Sequence, residues 1–330
     1  MNKDILMVSI KCWVYNHEPY LKQCLDGFVM QKTDFRFEAI VHDDASTDKS
    51  ASIIREYAEK YPDIIKPILE TENQYSKHDG SLQRIMDNAC KGKYIAICEG
   101  DDYWTDPLKL QKQVNALESN PACSISFCKV QCVDKNGSAL KWTIPTNGCF
   151  NRGVITLEMF AQIQFTHSWA FHTSSFMYRT SFLPEYQNAQ KKILKNFPFG
   201  DLPLVLFFLT KGDGFYIDDL GSCYRQDSGG YNSYMKEHPQ KVIEHGEKMI
   251  LALNDFDKFT DYKYSKYIQH RVLVCKRGHD ILNGDKYAYF RPKYWSILSF
   301  DSIARFLSSS TKDVSFLYNG LKKLYHFIKE

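Results

Sequence analysis

The feature that most constrains this chain is a strand-then-helix rhythm through its first 130 residues, with acidic clusters at two strand ends. Residues 5–12 are a mostly apolar run of strand type. After Asn16-His17-Glu18-Pro19 a helix is expected, with Leu21, Cys24, Leu25 and Phe28 on one face and Pro19 in its first turn. Residues 37–41 predict a second strand, running into His42-Asp43-Asp44-Ala45-Ser46-Thr47-Asp48. That segment is rich in helix caps, so Asp44 or Ser46 is expected to open the helix that carries Ile53, Ile54 and Tyr57. A third strand at residues 64–69 precedes a helix with Leu82, Ile85, Met86 and Ala89 at three-to-four spacing. Residues 94–98 predict a fourth strand, ending in Glu99-Gly100-Asp101-Asp102. Thr105 or Asp106 should cap the next helix, with Pro107 in its first turn and Leu110, Val114 and Leu117 buried; residues 124–130 predict a fifth strand. Such alternation implies a mostly parallel sheet with helices on both faces, whose ligands bind at the carboxyl ends of the strands. Both acidic clusters fall at such ends.

The second half is less regular. Residues 134–148 have hairpin character, and Thr156-Leu157-Glu158-Met159 reads as the cap of a helix. Residues 171–179 and 215–218 predict strands, with Cys223-Tyr224-Arg225 beyond, and residues 202–210 an apolar helix opened by Asp201. Helical patterns dominate beyond about residue 236. A chain of 330 residues exceeds the roughly 250–300 at which single cores stop growing. One large domain over residues 1–235, in halves 1–130 and 131–235, and a helical region over 236–330 are therefore expected.

A hydrophobic share of 44% excludes a disordered or collagen-like chain. The longest apolar run, residues 204–209, is far short of the ~20 residues a membrane span needs. No signal sequence precedes the first strand, and the ten cysteines include no Cys-x-x-Cys pair. Reduced thiols, no structural zinc and a cytosolic location are the expectation. Residues 231–330 carry 17 Lys/Arg against 11 Asp/Glu, or +6, which leaves −3 on the rest of a chain of net charge +3. A neutral-to-acidic body speaks against a nucleic-acid partner, and the basic tail speaks for contact with an anionic surface. Leu317, Leu321, Leu324 and Ile328 fall at helical spacing beside Lys322 and Lys323, as suits a helix lying on a bilayer or one packed on the domain.

Three carboxylates in four residues, Glu99, Asp101 and Asp102, repel one another and cannot all be buried unpaired. A hard divalent cation, Mg2+ or Mn2+, held by these oxygens and by phosphate resolves the repulsion; a solvated acidic turn is the alternative. Asp43 and Asp44 can accept hydrogen bonds from a base N–H or from ribose hydroxyls, or can cap a helix. The chain has no G-x-x-x-x-G-K-[ST] loop, no G-x-G-x-x-G after its first strand, no G-x-S-x-G and no H-E-x-x-H.

Val8-Ser9-Ile10, Tyr15-Asn16, Asp43 to Asp48, and Lys91-Gly92-Lys93-Tyr94-Ile95 leading to Glu99-Gly100-Asp101-Asp102 together resemble the N-terminal half of family-2 glycosyltransferases. The resemblance is strong over residues 5–130 and looser to about residue 230. It implies an α/β fold of GT-A type, a mostly parallel mixed sheet flanked by helices, here with a helical C-terminal appendage. It implies a nucleotide-sugar donor, Mn2+ or Mg2+, a glycan or lipid-linked acceptor, and transfer with inversion at the anomeric carbon. By the same resemblance Tyr15 stacks near the base, Asp43 or Asp44 reads base or ribose, and Arg84 adds a nucleotide contact. Asp101 and Asp102 meet ribose and metal, with Glu99 a further ligand standing where many members have Asp. Asp201, at the start of a helix beyond the sheet core, matches the general base, although it could simply cap that helix. Arg225 would contact the diphosphate; Gln226-Asp227 follow it where a histidine is usual, and Trp13-Val14 replace the usual Pro-Thr.

Two other readings compete. A sugar nucleotidyltransferase would want a Gly-rich, basic loop after the first strand, and Asn16-His17-Glu18-Pro19 is neither. A non-catalytic nucleotide-sugar-binding protein would keep Asp43 and Asp101 yet lack a base such as Asp201.

Overall fold

Strand β1 (Leu6–Val14) is buried along almost its whole length, which explains why its apolar run is continuous rather than alternating. The computed structural model describes residues 5–226, 228, 238–285, 287–288 and 291–298. The chain divides into two compact units, residues 1–195 with 199–234, and residues 196–198 with 235–330.

In the first unit, β1 pairs in parallel with β2 (Arg36–Asp43) and β4 (Tyr94–Ile97), and β2 with β3 (Ile65–Leu69). Helix α1 (Glu18–Val29) buries Leu21, Cys24, Leu25 and Phe28 completely against this sheet, each worth about 1.5–3 kcal/mol. Helices α2 (Ser50–Lys60), α3 (Ser81–Ala89) and α4 (Lys109–Ser119) follow the second, third and fifth strands, the last being β5 (Tyr103–Trp104). Inside β1 a lysine interrupts the apolar run. Lys11 is fully buried and pairs with Asp87 of α3, whose carboxylate also receives Gln83 Nε2 and Gln187 Nε2 at 2.8 Å each. Removing one partner of such a pair costs ~3–5 kcal/mol, so this contact pins α3 to the sheet.

The later strands make the sheet mixed. β6 (Cys123–Val133) forms a hairpin with β7 (Ala139–Ile144); β8 (Gly153–Ile155), β9 (Met177–Arg179) and β10 (Asp213–Arg225) complete it. The order is β3-β2-β1-β4-β9-β6-β10-β5, with β7 on β6 and β8 on β10. Because β9 is antiparallel to both β4 and β6, and β10 is parallel to β6, strands β1, β2, β4, β6 and β10 all run the same way. Their carboxyl ends share one edge. Helices α5 (Leu157–Thr166, capped by Thr156), α6 (Leu183–Lys192) and α7 (Asp201–Lys211) pack in this half.

The structure corrects several local expectations. Residues 171–179 are not one strand: His172 Nδ1 accepts the Ser174 amide and His172 O accepts Ser175 Oγ, winding Thr173–Ser175 into a 3-10 turn before β9. Residues 215–218 and 223–225 belong to one strand, β10, which crosses polar Asp218-Asp219 by two shifts of register. Helix α4 starts at Lys109, beyond Pro107, because Asp106 turns the chain by accepting the Leu108 and Lys109 amides. Neither Asp44 nor Ser46 caps α2; Asp48 accepts the Ser50 amide instead.

The second unit contains α8 (Pro239–Phe259) and α9 (Ser265–Leu282), joined by a turn in which Asp257 accepts Ser265 Oγ and Gln269 Nε2. A 3-10 segment, Pro292–Ile297, ties back through Asp280, which accepts Tyr294 Oη and Lys293 Nζ at 2.7 Å each. The spacing of Leu317, Leu321, Leu324 and Ile328 lies outside the described residues. Among the described residues no helix is long and apolar enough to cross a membrane.

Candidate active site

At the end of β2 two adjacent aspartates have different fates, because successive residues of a strand point to opposite faces. Asp44 is buried and both its oxygens are taken, by the amides of Gln74 (2.6 Å) and Tyr75 (3.0 Å). Asp43 is equally buried; its Oδ2 accepts the Ser46 amide at 3.2 Å, but its Oδ1 has no hydrogen-bond partner. Of the two, Asp43 is the one left able to receive a ligand's N–H or O–H. Tyr15, at the end of neighbouring β1, is 49% exposed.

The loops after β1 and β2 are sewn together reciprocally. Asn16 N donates to Ser46 Oγ and Thr47 N to Asn16 Oδ1, while Glu18 N donates to Asp48 Oδ2 and Lys49 N to Glu18 Oε2, all at 2.8–3.1 Å. Asn16 and Ala45 hold positive φ (56° and 59°), the bend that lets each loop face the other.

After β4 the acidic loop lies against β1. Gly100 N donates to Trp13 O at 3.0 Å, and a β-carbon on Gly100 would sit 2.7 Å from His17 Nδ1 and 3.0 Å from Val14 Cγ2, so only glycine fits. Glu99, Asp101 and Asp102 bring ligand oxygens within 4.8 Å of one another. Asp102 is 1% exposed; Oδ1 accepts the Arg225 amide at 2.9 Å and Oδ2 has no hydrogen-bond partner. Burial, then the Asp101 and Glu99 charges, push its carboxyl well above the usual range. Burial first, then the charges of Asp101 and Asp201, push Glu99 up to about 8. Such a cluster fits a hard divalent cation: all donors are oxygens, and one is an orphan. His172 Nδ1 lies 3.6 Å from Asp102 Oδ2 but already accepts the Ser174 amide, and burial drops the ring to about 3, so it stays neutral and does not compensate the carboxylate.

Asp201 begins α7, with Gly200 as the cap residue. Its Oδ1 accepts the Leu202 amide at 2.7 Å, burial raises its carboxyl, and it interacts electrostatically with Glu99. Asp201 thus lies within electrostatic range of Glu99, 102 residues earlier in sequence.

Two residues expected at the nucleotide bond to protein atoms. Arg225 is buried, and three of its five N–H groups bond to protein: Nε to Asp101 O, and its two terminal nitrogens to Lys135 O and Gln23 Oε1, at 2.7–3.1 Å. Its guanidinium also lies over the rings of Tyr20 and Tyr103, 4.6 and 5.4 Å from their centroids. It braces the acidic loop, as does Ser228, which donates to Asp101 Oδ2 at 2.7 Å. Arg84 is exposed and bonds to Asp79 of its own segment, not to either strand-end loop. Gln23, Tyr20 and Ser228 gave no sequence signal; Tyr224-Arg225 stood out as a pair, but Gln23 lies 202 residues from Arg225.

Residues 9–186, just over half of the chain, match the model of Glycosyl transferase family 2. An uncharacterized protein of Mycobacterium tuberculosis is 44% identical over 131 residues, 40% of this chain and 37% of that protein. The chain thus matches well under half the length of that relative. Staphylococcus aureus TarS 1-349 in complex with UDP-GlcNAc superposes with a TM-score of 0.57 at 18% identity, over 93% of this chain and 82% of that one. The mannosyltransferase PcManGT from Pyrobaculum calidifontis, in complex with GDP-Man and Mn2+, gives 0.52 at 16% identity, over 98% and 84%. These likenesses show the GT-A type of fold, a mixed sheet flanked by helices.

Proposed function

The chain belongs to glycosyl transferase family 2, and from that premise we propose that it moves a sugar, with inversion, from a nucleotide-sugar donor to a hydroxyl of a glycan or lipid-linked acceptor. The observation that carries this reading is a pair of orphaned carboxylate oxygens, Asp43 Oδ1 and Asp102 Oδ2, at one edge of the sheet. Asp43, two strands from β4, is set for the nucleoside, with Tyr15 beside it. Two strand spacings are about 10 Å, suited to the step from a nucleoside to its diphosphate. Mn2+ or Mg2+ held by Glu99, Asp101 and Asp102 would offset the charge growing on the leaving diphosphate. Asp201 takes the proton from the acceptor hydroxyl as its oxygen bonds to the anomeric carbon and the carbon–oxygen bond to the diphosphate breaks. Its raised affinity for a proton suits that task.

UDP is the favoured nucleotide, which the likeness to TarS bound to UDP-GlcNAc supports; the GDP-Man complex of PcManGT keeps GDP in the comparison. In this reading residues 1–130 serve the donor and 131–235 the acceptor, in synthesis of a cell-surface polysaccharide. The enzyme works in the cytoplasm at the inner face of the membrane, which the +6 balance of residues 231–330 supports. Thermal shift with UDP-, GDP- and dTDP-sugars plus Mn2+ tests the donor site. At least one should raise the melting temperature in a Mn2+-dependent way, and a flat response to all of them sinks the reading.

A further inference from the structure

The turn that joins α8 to α9 puts aromatic rings and cationic heads on one exposed tip of the second unit. Residues 258–266 read Lys-Phe-Thr-Asp-Tyr-Lys-Tyr-Ser-Lys, three lysines against one aspartate, or +2. Phe259 and Tyr262 are 44% and 62% exposed there, and Lys258, Asp261, Lys263 and Lys266 are exposed as well. Among the described residues none of the three lysines is in an ion pair, whereas Lys293 of the same unit is held by Asp280. Lys263 and Lys266 lie over their neighbours' rings, Nζ 5.4 Å from the centroid of Tyr264 and 5.6 Å from that of Tyr267.

The backbone fixes this display. Asp261 and Tyr262 both hold positive φ (49° and 59°), a region that a ring-bearing residue rarely adopts. Asp261 N donates to Lys258 O (3.1 Å), Tyr262 N to Asp257 O (2.9 Å) and Lys263 N to Thr260 O (3.0 Å). The buried Asp257 carboxylate closes the turn by accepting Ser265 Oγ and Gln269 Nε2. A turn that only had to reverse the chain would place glycine or asparagine at position 262. Rings interleaved with unpaired lysines match the boundary of an anionic bilayer: aromatic side chains seat among the headgroups, and lysine stems lie beside them with the charge at phosphate level. A polyanion with no apolar layer would satisfy the lysines and leave Phe259 in water.

We propose that Phe259, Tyr262, Lys258, Lys263 and Lys266 dock the chain on the surface of an anionic phospholipid bilayer. The assignment deepens the membrane-side location given above by naming the surface that carries it, and it rests on that part of the reading alone.

Co-sedimentation of the full chain with phosphatidylcholine vesicles, with and without about one-third phosphatidylglycerol, tests it at ~0.1 M salt, where charges more than ~10 Å apart are screened. Wild type should bind the anionic vesicles at least about tenfold more tightly than the neutral ones. At about fivefold per lysine, Lys258→Gln with Lys263→Gln should weaken binding ~25-fold. Lys248→Gln with Lys276→Gln removes the same charge ~15 Å along the two helices from the tip, and should weaken binding less than about threefold. Tyr262→Gly suits the positive φ and removes the ring, so it should lose about fivefold in binding with no fall in melting temperature. Equal binding by wild type and the Lys258/Lys263 variant, an equal loss in the Lys248/Lys276 variant, or no binding to anionic vesicles overturns the proposal. So does a wild type that sediments as a dimer and becomes a monomer in Tyr262→Gly, since the tip then meets a second copy. Vesicle binding by a chain that answers no nucleotide-sugar in thermal shift leaves the tip standing and sinks the transferase reading; a thermal response without vesicle binding does the reverse.

Discussion

Two strand-end loops carry adjacent carboxylates, and the molecule treats them in opposite ways. At β2, both oxygens of Asp44 are taken by backbone amides and Asp43 receives one, so folding leaves this loop a single open oxygen, Asp43 Oδ1. At β4, Asp102 receives a single amide, and Glu99, Asp101 and Asp102 face one another. One loop keeps a lone oxygen for a ligand's N–H or O–H, and the other gathers three carboxylates that suit a cation. The lesson is that acidic density in a sequence does not identify a site; the number of unanswered oxygens does.

The sharpest challenge to this contrast comes from Asp201, which serves the second loop. Asp201→Asn should lower transfer by ~10³-fold while leaving UDP affinity within about threefold by calorimetry. Transfer at the normal rate would remove it as the base. Substituting one residue in each loop should then change stability in opposite directions. Asp44→Ala strands two amides and should cost ~2–4 kcal/mol in chemical denaturation. Asp102→Asn keeps the acceptor for the Arg225 amide while deleting a buried charge, so the metal-free protein should melt no lower than wild type yet fail to bind Mn2+ by electron paramagnetic resonance.

A smaller effect is expected from pH. Glu99 titrates near 4.5 in an unfolded chain but about 8 here, so the folded state holds the extra proton between those values. Stability of the metal-free protein should therefore fall as pH rises through that window, by ~2–4 °C in melting temperature between pH 6 and 8, and Glu99→Gln should flatten the slope. Least affected should be Arg84→Ala, with donor KM changed less than about twofold, since its contacts stay within its own segment.

Sequence periodicity located β1 to β4 and the helices between them, and in α1 and α2 the buried stripe matches the helix period. It failed where polar local bonds override period: at His172, whose ring bends residues 172–175, and at Asp218-Asp219, which break the apolar pattern of β10 without ending it. The acidic residues were visible as chemistry, but their division of labour was not. Nothing in the order Asp43-Asp44 says which side chain meets the amides of residues 74 and 75, and nothing near Arg225 announces Gln23. Such choices are made by chain segments that meet only in three dimensions.

The stitching of the loops after β1 and β2 has a kinetic consequence. Because Asn16 and Ser46-Thr47 each hold the other's backbone, as do Glu18 and Asp48-Lys49, neither loop can fray alone, and their amides should exchange with deuterium at one shared rate. A nucleoside arriving there would meet a floor that is already ordered, so its association rate should track diffusion and not loop rearrangement.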